Sequence, residues 1–409
     1  MKRYYLDANA TYEILPAVKE SLVALLDGPR SFSYLNGSSI HAEGQKVRAL
    51  IDAARADLYR YVRLREADFQ IVFTSGATEG NNTALLVPFE MSSAKDSLKP
   101  EYAGHVISTS VEHSSVEEGL QRLERAGVEV TRVRPGSDDI ISPDAVLREL
   151  RPETKLVSMI WANNETGVIH PIPEIFRAIQ RASPNCILHT DAVQALSKLE
   201  LDLSSFPFDF LTIAPHKFGA LPGIGISIVN KRLPLKPLAV GGAQELKWRP
   251  GTENVVGIVS IQAALAELSK LITRYREVIT PLRAEFEERV LAHYPTIEVI
   301  GKDAPRLPNT VMMRLPGILT EDLVVALDLA GVSCSRGSAC SSGKQLGSHV
   351  IGGMNYPKEA GREVLRLSFP ANFQESDLET VLERLFQCFE RFGLRTKASH
   401  SDTIPASVH

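Results

Sequence analysis

The chain has 409 residues, 44% of them hydrophobic and 23% charged, with a formal net charge of −4. That is enough for one large domain and a smaller one of ordinary globular composition, with no overall basic field that would recruit nucleic acid or an anionic membrane. Four cysteines, Cys186, Cys334, Cys340 and Cys388, are too few for a disulfide scaffold in so long a chain, and none has zinc-site spacing.

The N-terminus, MKRYYLDANATYE, starts basic but has no apolar run of secretory length, and no stretch approaches the length needed to cross a bilayer. A soluble, cytoplasmic protein is expected. From about Phe69 the texture alternates. QIVFTS, HVISTS, VEVTRV, TKLVSMI, CILHTD, FDFLTIA and GIGISIV read as seven buried strands. Amphipathic stretches such as Glu117–Arg125 and Pro173–Ala182 lie between them, and Pro143 with Asp144 marks a helix start. This rhythm predicts an α/β domain with a mostly parallel central sheet. Beyond about Gly257 the periodicity of Ile258–Tyr294 predicts one or two long helices. Strands recur at TIEVIG and NTVMMRL, and helices at Glu321–Ala330 and about Glu375–Phe392, as in a smaller α+β domain. The residues after Leu394 are polar and aperiodic, a loose tail.

The chemistry gathers where strands end. QIVFTS runs into Gly76-Ala77-Thr78-Glu79-Gly80 and a helix, a turn whose free N–H groups suit an anion. HVISTS leads to His113, which either covers a flat ring or caps the next helix. TKLVSMI leads to Asn163 and Asn164, read as a turn or as buried amides in need of partners. CILHT leads to Asp191, followed closely by Gln194; the carboxylate is a helix N-cap or the partner of a protonated pyridinium nitrogen. FDFLTIAP leads to His216 and Lys217, a lysine among apolar residues that either snorkels or forms a Schiff base. Singly each favours the structural reading. Five strand ends in succession point instead to one flat, anionic, nitrogenous cofactor at the carboxyl edge of the sheet.

With these residues in view the sequence resembles the cysteine desulfurases, class-V aminotransferase relatives of the aspartate-aminotransferase fold, pyridoxal 5′-phosphate (PLP) fold type I. The matching pieces are YLDANAT, FTSGATEGNN, VEHSSV, ANNETGVIHPI, HTDAVQALSKLELDL, PHKFG, RPGTENV, SRGSACSSG and LRLSFP, in family order from Tyr5 to Phe392. The resemblance implies Lys217 as the Schiff-base lysine, with Ala77, Thr78 and His216 on the phosphate. It implies His113 stacked on the ring and moving protons, Asp191 on the ring nitrogen, and Asn164 and Gln194 near the ring hydroxyl. Thr252 would reach the phosphate of a second subunit in a homodimer with shared sites. Arg366 would anchor the substrate carboxylate, with Asn36 and Asn164 assisting. The large domain would span residues 16–256, the small domain 1–15 and 257–394, and the tail 395–409.

Cys340, in a small-residue loop, then matches the cysteine that receives sulfur, in the subgroup with a long mobile cysteine loop. Cys186 and Cys388 read as core, and Cys334 as a strand-end residue near the site. The implied reaction converts L-cysteine to L-alanine and leaves a persulfide on Cys340 for an acceptor protein, in iron–sulfur assembly, tRNA thiolation or another pathway. A nearby cation must favour the Cys340 thiolate, and His113 is the candidate. No resident metal, direct nucleic acid or membrane contact is expected; transient iron–sulfur ligation is reserved for Cys340. The chain departs from the family at Ala214, where Ser or Thr is usual, at Ala220-Leu221-Pro222, and at Gly37. The alternatives are another PLP-dependent aminotransferase, a selenocysteine lyase, or a non-catalytic scaffold of the same fold.

Overall fold

A computed structural model describes residues 1–27, 35–90, 103–233, 239–337 and 347–396. The elements of the first part are β1 (Tyr4–Tyr5), α1 (Pro16–Leu26), α2 (Ala42–Val62), β2 (Phe69–Thr74), α3 (Ala77–Glu90), β3 (His105–Thr109), α4 (Ser114–Arg125) and β4 (Glu129–Val133). They continue with α5 (Pro143–Arg148), β5 (Thr154–Ile160), α6 (Ile172–Ala182), β6 (Ile187–Asp191), β7 (Phe210–Ile213) and β8 (Gly225–Asn230). All seven strands read from the sequence form one sheet, in the order β2-β8-β7-β6-β5-β3-β4.

Strands β3 to β7 pair in parallel, and β8 alone runs against its neighbours β2 and β7. Two reversals cancel, so β2 points the same way as β7. Five strand ends, those of β2, β3, β5, β6 and β7, therefore open on one edge of the sheet. These strands are apolar runs because helices cover both faces. In α6, Ile172, Ile175, Phe176 and Ile179 are all buried, the spacing of one helix face. Each such side chain contributes about 1.5–3 kcal/mol on burial.

The second part comprises α7 (Val255–Arg274), α8 (Thr280–His293), β9 (Glu298–Val299), β10 (Thr310–Arg314), α9 (Thr320–Leu329), β11 (Val332–Ser333), α10 (His349–Gly353), β12 (Val364–Ser368) and α11 (Leu378–Arg391). A π-helical turn, Tyr275–Ile279, joins α7 to α8. Strands β12, β10 and β9 form an antiparallel sheet, and β1 pairs in parallel with β11. TIEVIG contributes only its central pair as strand. Cys186 and Cys388 are buried, and Cys334 follows β11.

One expectation needs correction. The continuous helix Val255–His293 is long and apolar enough to cross a membrane by length and composition. The sequence disguises this because the charges of α8 follow directly on the apolar α7. In the fold α7 is a core helix, with Ile258, Ile261, Ala264, Leu265 and Leu268 buried.

Candidate active site

The five strand ends surround a cavity of about 300 Å³. At one pole β2 hands over to α3, whose first residues Ala77 and Thr78 line the wall. The first turn of a helix leaves N–H groups without intrahelical partners, and α3 presents them beside the cavity. The turn is tight: a Cβ on Gly225 would lie 2.5 Å from the Gly76 carbonyl carbon and 2.6 Å from Thr74 Oγ1. Glycine is what lets β8 pass so close. His216 lines the same region and holds Thr11 Oγ1 at 3.1 Å through Nδ1. Burial, then the charges of Lys217 and Lys198, push its pKa down to about 4, so the ring is neutral.

At the other pole Asp191 ends β6, 4% exposed. Its Oδ2 accepts from Asn81 Nδ2 at 2.8 Å and its Oδ1 from the Val193 N–H at 3.0 Å. Asn81 also donates to Ser115 Oγ at 2.9 Å, and Ser115 Oγ lies 2.8 Å from His113 Nδ1. His113 caps α4, its Nδ1 accepting from the Ser115 N–H at 3.1 Å. The capping reading of this histidine holds, and the capping residue also lines the cavity. With Nδ1 accepting, the neutral ring carries its proton on Nε2. Burial lowers the His113 pKa; Asp191 opposes this, and Lys217 and His349 add to it. The ring is therefore neutral in this structure; Lys217 and Arg366 also line the cavity.

Lys217 closes a 3-10 turn, Pro215–Lys217, and its Nζ donates to the carbonyls of Asn9 at 2.8 Å and Ala10 at 2.6 Å. Asn9 O also accepts from Gln194 Nε2 at 3.0 Å. Gln194 Oε1 is held at 2.7 Å by Lys198, a lysine 2% exposed whose pKa burial drives well down. Arg366, from β12, reaches the cavity wall and donates to the Asn164 backbone oxygen at 3.1 Å.

Of the residues expected from the sequence, Lys217, His113, Ala77, Thr78, Asn164, Asp191, Gln194, His216 and Arg366 all line this one cavity. Asn36 and Thr252 are exposed and do not. Cys340 lies outside the described residues. The departures Ala214 and Pro222 are wall residues. Sequence reasoning passed over Asn81, Asn9 and Lys198. Asn81 was within sight, one position after the Gly-containing turn, where its amide falls on the side of α3 facing β6.

The cavity fits a flat, phosphorylated pyridine. Among the described residues, the buried Asn164 Oδ1 and Asn81 Oδ1 have no hydrogen-bond partner, as expected of amides awaiting a polar ligand. A buried carboxylate and a helix N-terminus on the wall of one cavity complement the ring nitrogen and the phosphate of such a molecule. Residues 4–381 match the model of the class-V aminotransferase family. A cysteine desulfurase of Nostoc sp. is 36% identical over 96% of this chain and 94% of its own length. The chain belongs to the cysteine desulfurase family. A second cysteine desulfurase, of Cereibacter sphaeroides, is 34% identical over 94% of this chain and 95% of its own length. The solved structure of SspA in complex with cysteine superposes with a TM-score of 0.76 at 26% identity, covering 90% of this chain and 99% of that one. The family is PLP-dependent, in keeping with the poles of the cavity.

Proposed function

We propose that this cysteine desulfurase converts L-cysteine to L-alanine at the cavity, with sulfur passing to the Cys340 thiol and on to an acceptor protein. The juxtaposition of Lys217, Asp191 and Arg366 around one cavity supports this reading. Bound PLP supplies an electron sink for charge developing at the substrate Cα. Asp191 would hold the pyridine nitrogen, Asn164 and Gln194 the ring hydroxyl, and Ala77, Thr78 and His216 the phosphate. Lys217 would be the attachment point, and its Nζ would take up the Cα proton. Arg366 would orient the substrate carboxylate, with Asn164 and Asn36 alongside. His113, neutral with its proton on Nε2, would give that proton to the reacting substrate.

The Cys340 thiolate then attacks the substrate sulfur; the S–S bond forms as the C–S bond breaks, and protonation of the carbon skeleton gives alanine. With His113 neutral, Lys217 and Arg366 supply the positive field for the thiolate. Thr252, exposed and away from this cavity, suits service to the cavity of a second copy in a homodimer. The free thiols Cys186, Cys334 and Cys388 suit a reducing compartment, the cytoplasm. The Cys340→Ser variant is expected to keep the yellow absorbance of the holoenzyme and to lose alanine formation from L-cysteine by at least about a hundredfold, an order-of-magnitude loss typical of removing a nucleophile. Alanine formation at the parental rate would remove Cys340 from its role.

A further inference from the structure

Arg366 sits at the centre of β12, 1% exposed, and its guanidinium is already held before any substrate arrives. Its Nη2 donates to Asp7 Oδ1 at 2.5 Å and its Nη1 to the Asn164 backbone oxygen at 3.1 Å. Among the described residues, its buried Nε has no hydrogen-bond partner. The second oxygen of Asp7 accepts from Ser335 Oγ at 2.8 Å. The backbone fixes this triangle: Asp7 bridges Ser368, and Ser335 bridges Arg366. Three distant segments of the chain thus converge on one carboxylate.

We propose that Asp7 is a positioning residue for recognition of the substrate carboxylate. A free arginine side chain has much rotamer entropy to lose, and a guanidinium already fixed spares an incoming ligand that cost. Held by one bond at Nη2 and one at Nη1, the fork keeps its Nε–H and the second N–H of each terminal nitrogen for an incoming carboxylate. Asp7 also pairs a buried cation that has Lys217 and Lys198 as neighbours, where an unpaired guanidinium would be costly. Through Ser335 the same carboxylate touches the strand segment from which the Cys340 stretch departs in sequence. Substrate anchoring and the start of that stretch therefore share one partner.

The inference rests on Arg366 being the carboxylate anchor, and the experiment separates the two. Holoenzymes of the parent, Asp7→Asn and Arg366→Lys are titrated with L-cysteine and with cysteamine, which lacks the carboxylate, following the cofactor absorbance, alongside steady-state alanine formation. For Asp7→Asn we expect KM for L-cysteine to rise about tenfold with kcat within about twofold, in the range seen for loss of a supporting partner. Cysteamine binding stays unchanged, so discrimination between the two ligands shrinks about tenfold. A merely structural role would move both ligands together. Parental discrimination in Asp7→Asn, or tighter L-cysteine binding, overturns the proposal while Arg366→Lys loses discrimination. Parental discrimination in Arg366→Lys overturns the anchor reading itself. Should Asp7→Asn fail to fold, Ser335→Ala, which removes one partner of Asp7, is expected to shift discrimination in the same direction by about threefold; an unchanged ratio counts against Asp7.

Discussion

His113 illustrates how a single ring nitrogen can set the chemistry of a site. Its Nδ1 accepts from the backbone of Ser115, so the proton of the neutral ring sits on Nε2. Burial, reinforced by Lys217 and His349 and opposed by Asp191, holds its pKa below the ordinary 6.5. With Nδ1 occupied, the neutral ring serves as a donor through Nε2–H, a form that prevails above its folded pKa and is lost as pH falls through it. The acid limb of kcat/KM is therefore expected below pH 6.5 if His113 carries it. A limb at or above pH 7 that disappears in His113→Gln would contradict the charge assigned here. The place of this histidine after a strand end was legible in VEHSSV, but its charge was not. Charge depends on burial and on Lys217, more than a hundred positions away in sequence.

Among the elements, β8 has the least obvious part. None of its residues lines the cavity, only Pro222, Gly223 and Ile224 just before it, yet its reversed direction is what lets β2 point with β7 and bring Ala77 and Thr78 to the edge where Asp191 and Lys217 emerge. The close pass at Gly225 ties the two events together. Gly225→Ala would drive a methyl group against the backbone of Gly76, where no flexible side chain can yield. Overpacking of that kind costs about 1–3 kcal/mol. Because the displaced turn leads into Ala77 and Thr78, the residues proposed to hold the phosphate, a lower melting temperature and weaker retention of PLP on dialysis are expected together. A parental melting temperature would show that the strand-to-helix turn tolerates the displacement. The strands could be read in advance from their short apolar runs, although β4, expected to be buried, lies at the sheet edge with only Val133 buried. The two-residue β1 and β11 could not, since pairs of residues carry no period. Their pairing nevertheless brings Asp7 and Ser335 to Arg366.

For the molecule as a whole, the sequence revealed the residues that form the cavity through their regular placement after strands. It did not reveal the contacts that adjust them. Asp7 meets Arg366 across 359 positions, and nothing in Ala195-Leu196-Ser197-Lys198-Leu199 marks Lys198 as a lysine that the fold buries against Gln194. The helix Val255–His293 shows the same limit, since composition alone does not distinguish a core helix from a membrane span. The account depends on one cofactor joined to Lys217 and opposed by Asp191 within this cavity. Borohydride reduction of the holoenzyme followed by peptide mass mapping tests that most directly. The account predicts a pyridoxyl group fixed on Lys217, and loss of the yellow absorbance in Lys217→Ala. A pyridoxyl group on Lys198 or any other lysine, or an unchanged spectrum in that variant, would contradict it.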